Sequence, residues 1–250
     1  MAENQNNKSS SVIEIGWCFK EERSSSIFFN PEPSNALKDQ KNDLSVNTKS
    51  DSTDGVRSCP AVKSISSKLW VIKCPYSIKL RAKIDNECIK IVPIYPFTEV
   101  SQEMLPGIIS AEPRELWINS RNPIIQFKMP YIFFSDTPAF IYQLEAPMST
   151  RIKNWSLIQG EVDIYNWQRP LNLAIQWIDI TKDFEIKRGD PAFQIMASSP
   201  NGNSGFKLRK INPNDQLKSR IESCEGVTSL TKNIKSIMHN SRPSNIKFLT

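Results

Sequence analysis

"YSIKLRAKIDNECIKIVPIYPF", residues 76–97, decides the fold class. Along it Ile78, Leu80, Ala82 and Ile84 fall on one face, and Lys79, Arg81 and Lys83 on the other. A period of two is that of a half-buried strand. "DNE" then turns the chain and "CIKIVPI" returns it, so the segment predicts a β-hairpin closed by an Asx turn. The logic recurs downstream: "NPIIQFKMPYIFF" (122–134) and "AFIYQLEAP" (139–147) read as a second pair joined by "SDTP". "LNLAIQWIDI" (171–180) sets Leu171, Leu173, Ile175 and Trp177 on one face. "FEIKRGDPAFQIMA" turns at Arg188-Gly189-Asp190 and points Phe193, Ile195 and Ala197 inward. Short strands punctuated by Pro and Asx turns predict a mainly β protein, an antiparallel sandwich or jelly-roll-like domain. Its bounds are set at 57–205.

The flanks differ in character. "VIEIGWCFK" (12–20) alternates as a strand, and "SSSIFFNPEP" reads as a second one stopped by Pro31 and Pro33, an N-terminal strand pair within 1–33. Residues 34–56 are poor in large apolar side chains and rich in Ser, Asn, Asp and Lys, too polar to offset the entropy of ordering. They read as a flexible linker. Residues 206–250 form a basic tail with helical spacing: Leu217, Ile221 and Cys224, then Leu230 and Ile234, with Asp215 as the expected N-cap and Gly226 as the break.

Charge points to the same tail. The chain of 250 residues carries a net charge of +6. Residues 205–250 hold nine Lys/Arg, among them Lys232 and Lys235, against three acids, which accounts for the whole excess. Any attraction to a polyanion, nucleic acid included, therefore sits there. Neither a signal-peptide core nor a membrane-length apolar run occurs in the sequence, so the expected place is a reducing cytoplasm.

The catalytic vocabulary is sparse. A single histidine, His239, leaves no partner set for a serine or cysteine hydrolase triad, a two-His iron site or a deaminase zinc site. The eight glycines form neither a phosphate-binding loop nor a dinucleotide fingerprint. No cofactor and no metal site are expected. "RSCPAVKSISSKLWVIKCP" (57–75) places Cys59 and Cys74 in two Cys-Pro pairs without the short ligand spacing of zinc sites. Structural thiols, each closing a strand before Pro, are the expectation. Glu161, Asp163 and Asp179 are the carboxylates considered for acid–base work, against the alternative of solvated strand faces. "IYNWQRP" (164–170) places Trp167 beside Arg169, and with Asp163 these are the candidate ligand-binding residues.

"RSCPA", "KLWVIKCPYSIKL", "IIQFKMPYIFFSDTPAFIYQLEAP", "GEVDIYNWQRP" and "FEIKRGDPAFQIMAS" together resemble an uncharacterised protein family of tailed phages infecting marine cyanobacteria. The resemblance spans about residues 57–200 and implies a viral origin, in host cytoplasm or virion. It carries over no catalytic residue. The expected function is a non-catalytic phage protein acting through protein–protein interaction or self-association. In that reading Leu217, Ile221, Leu230, Ile234, Lys232 and Lys235 are the interaction element. The alternative is a small-ligand or carbohydrate-binding β-sandwich module, and a weaker one a carboxylate- or Lys-based enzyme.

Overall fold

The computed structural model describes residues 12–20, 30–38, 59–85, 88–146, 153–200, 205–225 and 247–249. Among the described residues are fourteen strands: β1 (Ile13–Phe19), β2 (Ser34–Asn35), β3 (Leu69–Lys73), β4 (Ile78–Asp85), β5 (Cys88–Pro93), β6 (Ile109–Ala111), β7 (Ile124–Phe134), β8 (Phe140–Leu144), β9 (Trp155–Leu157), β10 (Gly160–Asp163), β11 (Pro170–Trp177), β12 (Phe184–Ile186), β13 (Pro191–Ser198) and β14 (Phe206–Lys210). Helices α1 (Pro60–Ser67), α2 (Leu105–Ile108) and α3 (Asp215–Glu225) are short, and one 3-10 turn covers Arg114–Leu116. None of them is long and apolar enough to cross a membrane.

The strands form a six-stranded sheet of order β14-β1-β7-β11-β9 with β6 on β7, a five-stranded sheet β10-β8-β13-β3-β2, and a three-stranded sheet β12-β4-β5. Pairing is antiparallel except between β1 and β14. The inner faces meet in one core, as the alternation of β11 requires: Leu171, Leu173, Ile175 and Trp177 are all buried in it. Ile15 and Trp17 of β1 join them with Phe127, Tyr131 and Phe133 of β7. The facing sheet adds Ile72, Ile141, Phe193 and Ile195, and the small sheet adds Ile78, Leu80 and Phe184. The arrangement is a sandwich-like packing of sheets, the fold class expected from the period of two.

Several expectations change. The segments 122–134 and 139–147 do not form a hairpin: β7 lies in the first sheet and β8 in the second, so "SDTP" crosses between them. The turn at Gly189 likewise separates β12 from β13, which belong to different sheets. Gly189 has φ +82, and its N–H donates to Cys74 O at 2.9 Å while Cys74 N–H donates to Asp190 O at 2.8 Å. That stitches the second Cys-Pro element to the crossover. In the same turn the Arg188 guanidinium is clamped by Glu99, with Nη2 2.7 Å from Oε2.

At the ends of the chain, β1 and β14 belong to the first sheet, so neither end of the sandwich lies where composition placed it. The expected strand within 24–29 falls outside the described residues, as does most of the expected linker. The linker's first residues are docked: Ser34 and Asn35 pair with β3, and Asn35 Nδ2 donates to Ser67 O at 3.1 Å.

Cys59 does not close a strand. It is exposed and precedes α1, whose first residue Pro60 has no N–H to leave unpaired. Cys74 does close β3, is buried, and donates its S–H to Tyr76 O at 3.2 Å. Burial pushes the Cys74 thiol up to about 12, the carbonyl bond of Tyr76 opposing only in part. Alkylation of the native protein at about pH 8 is expected to label Cys59 and to spare Cys18, Cys74 and Cys224, which react only on unfolding. Rapid native labelling at Cys74 would refute its burial. Because the folded thiol titrates above the unfolded value of 9.0, its contribution to stability is whole below pH 9.0 and is lost as pH rises towards about 12.

Candidate functional site

The turn after β10 is built by Asp163. Its Oδ1 accepts from the N–H groups of Tyr165 and Asn166, both at 3.0 Å, and its Oδ2 accepts from Asn166 Nδ2 at 2.9 Å. Its carbonyl accepts from Trp167 N–H at 2.8 Å. Gln168 is fully buried; its Nε2 donates to Ile164 O at 2.9 Å and Tyr165 O at 2.7 Å. Arg220 of α3 closes the assembly, donating from Nε to Gln168 Oε1 at 3.1 Å and from Nη2 to Asn166 O at 2.8 Å. Asp163, Asn166, Gln168 and Arg220 thus hold the loop in one shape, and that shape presents Trp167 and Arg169.

Those two side chains stack, with the Arg169 guanidinium carbon 4.9 Å from the Trp167 ring centroid. Both line a cleft of ≈ 700 Å³ over the outer face of the first sheet, within the range of small-molecule sites. The opposite wall is a polar ladder. Asn172 Nδ2 donates to Gln126 Oε1 at 3.1 Å, and Gln126 Nε2 donates to Glu112 Oε1. Gln143 adds an amide whose Nε2 donates to Asn172 O at 3.0 Å. Ile124, Ile158 and Leu116 supply apolar contact at the sides. Trp167 Nε1 is sealed from solvent and has no hydrogen-bond partner among the described residues. A buried N–H left unpaired costs about 1–3 kcal/mol.

Of the three candidate ligand residues, two meet in the cleft and the third supports them. Asp163 stands outside the wall and shapes the turn. Glu161 is exposed on β10. Asp179 accepts from Thr181 N–H at 3.0 Å and Thr181 Oγ1 at 2.6 Å, and pairs with Lys182 at 3.2 Å. Asp163 and Asp179 are each committed to a local turn. Among the described residues no three of His, Cys, Asp and Glu come together as a metal group would require. Lys153 lies 4.3 Å over the Trp155 ring, and burial lowers its pKa.

Sequence reading passed over Glu112, Gln126, Gln143 and Asn172. One signal was available: Asn in a strand interior is disfavoured, so Asn172 amid the Leu-Ile-Trp alternation of β11 marks a face with a polar task.

The tail residues lie elsewhere. Leu217 and Ile221 of α3 pack with Cys18, Ile132, Phe134 and Phe248 on the outer face of the first sheet. The helix is capped by Asn214, whose Oδ1 accepts from Leu217 N–H at 2.8 Å, one residue before the expected Asp215. Leu230, Lys232, Ile234 and Lys235 lie outside the described residues. No protein-family model and no curated protein sequence matches this chain.

Proposed function

We propose that this protein is a non-catalytic binding module that takes a small polyhydroxyl ligand, a carbohydrate, in the cleft between the Trp167–Arg169 pair and the Glu112–Gln126–Asn172 ladder. The observation that carries the reading is the stacked Trp167–Arg169 pair facing the polar ladder of Glu112, Gln126 and Asn172 across one cleft. A hydroxyl both donates and accepts, which suits a cleft with a carboxylate, amides and a guanidinium close together. The stacked Arg169 covers one face of the indole, so the ligand meets the pair at its edge.

Substitution Trp167→Phe tests this with two readouts. It keeps an aromatic ring in the wall and removes the unpaired N–H. Stability is therefore expected to rise by about 1 kcal/mol in urea denaturation. Binding to the sugars that wild type retains on a panel of mono- and oligosaccharides is expected to weaken about tenfold. Unchanged affinity for every retained sugar, or a panel on which wild type retains none, refutes the proposal.

A second reading, a phage protein acting on another protein in the virion or the infected host, rests on a different observation: apolar side chains stand exposed in a second groove, distinct from the cleft. Mass spectrometry of purified virions and a pull-down from infected-host lysate test it. Absence from the virion together with no specific partner would remove it.

A further inference from the structure

The apolar stripe of β4 does not end where the core ends. Ile78 and Leu80 are buried, but Ile84 at the strand's far end is 69% exposed. Its cross-strand neighbour Ile89 shares its face. Across from them Ile178, just beyond β11, is 54% exposed. These side chains, with Ile180, floor a groove of ≈ 610 Å³. Exposed Ile side chains gathered in one concavity mark a binding surface more often than a solvent face.

Charge then selects the occupant. Arg114, from the 3-10 turn, and Arg121 line the same groove. Arg121 is exposed and makes no ion pair with the described residues. The groove's one carboxylate, Asp179, is already answered by Thr181 and Lys182. The rim is therefore net positive over an aliphatic floor. No aromatic ring lines it, so a nucleic-acid base has nothing to stack on. We infer that this groove docks a segment of another protein, one that places apolar anchors on Ile84 and Ile178 and an acidic side chain against Arg121. The inference rests on the interaction reading and names its surface. The loop that carries Arg114 into the groove also carries Leu116 into the sugar cleft, so the two sites share a wall.

A displayed library of random peptides about 12 residues long, selected against the intact protein, supplies the probe. Enrichment of sequences that combine Asp or Glu with Leu, Ile or Val is expected. A consensus peptide is then expected to lose about tenfold in affinity to Arg121→Glu or to Ile178→Ser, and to weaken as salt rises from about 0.05 to 0.5 M. Both side chains are exposed, so the variants should melt with wild type; should Ile178→Ser melt lower, Arg121→Glu alone decides. A basic or charge-free consensus overturns the proposal, as does a consensus whose binding ignores both variants. A wild-type dimer in sedimentation that Ile178→Ser dissolves also overturns it, assigning the groove to a second copy of the chain. Capture of a specific host or virion protein that survives both substitutions leaves the interaction reading standing and sinks the groove.

Discussion

Deletion of residues 212–250 is expected to leave a chain that does not fold cooperatively at room temperature. Leu217 is fully buried, Ile221 is 8% exposed and Phe248 is 2% exposed, all against the outer face of the first sheet. At about 1.5–3 kcal/mol per side chain, their loss removes roughly 5–9 kcal/mol. Cys18, Ile132 and Phe134 would then face water as well. Domains of this kind are stable by only about 5–15 kcal/mol, so the deletion consumes most of the margin. Polar anchors go with it. Asp136 accepts from the N–H groups of Phe248 at 2.7 Å and Leu249 at 2.9 Å, and Arg220 braces the Trp167 loop. Circular dichroism melting and size exclusion would read the outcome. A truncated protein with a sharp transition near the wild-type temperature would mean that the tail merely rests on the sheet. Leu217→Ala is the graded companion and is expected to lose about 2–4 kcal/mol.

The first sheet makes that packing possible through β7. Its residues Phe127, Tyr131 and Phe133 enter the main core, whereas Ile132 and Phe134 point to the helix side. Gly16 of β1 permits the approach: a Cβ there would sit 2.5 Å from Phe134 Cζ and 2.6 Å from Leu249 Cδ2. The apolar stripe of α3 therefore covers its own chain, which moves Leu217 and Ile221 from partner contact to core.

Trp177→Ala is expected to be the most damaging single substitution, at about 3–5 kcal/mol, read as a lowered urea midpoint with unchanged slope. The side chain is fully buried at the end of β11. Its ring packs edge-on against Phe184 with centroids 6.0 Å apart, joining the six-stranded sheet to the small one. Its Nε1 donates to Asp179 O at 3.1 Å and Lys182 O at 3.2 Å, which shapes the loop into β12. Trp177→Phe separates the contributions. It keeps most of the packing, and Asn154 Nδ2 still serves both carbonyls, at 2.8 Å and 3.1 Å, so only about 1–2 kcal/mol should go. Equal losses for Ala and Phe would place the importance in the indole N–H and refute the packing argument. The contrast with Trp167 is direct. One indole has its N–H shared between two carbonyls and is structural; the other has none and stands in a cleft wall.

The alternation of β4, β11 and β13 was legible because burial on one face of a strand leaves a period of two in the chain itself. So was the helical spacing of Leu217, Ile221 and Cys224. Sheet membership was not legible. "SDTP" and the Gly189 turn are as short as hairpin loops, and whether a short loop joins neighbours or crosses between sheets depends on which partners cover the strands, among residues far apart in sequence. The stripe of α3 looks the same whether its own sheet or a foreign surface covers it, so only the contacts with Ile132 and Phe134 decided between them. For the cleft, a Trp two residues from an Arg in a Pro-bounded loop was visible by inspection. Its opposite wall comes from Glu112, Gln126 and Asn172, which only the pairing of β6, β7 and β11 brings side by side. Local pattern records what a residue needs from its surroundings, whereas the identity of those surroundings is a property of the tertiary fold.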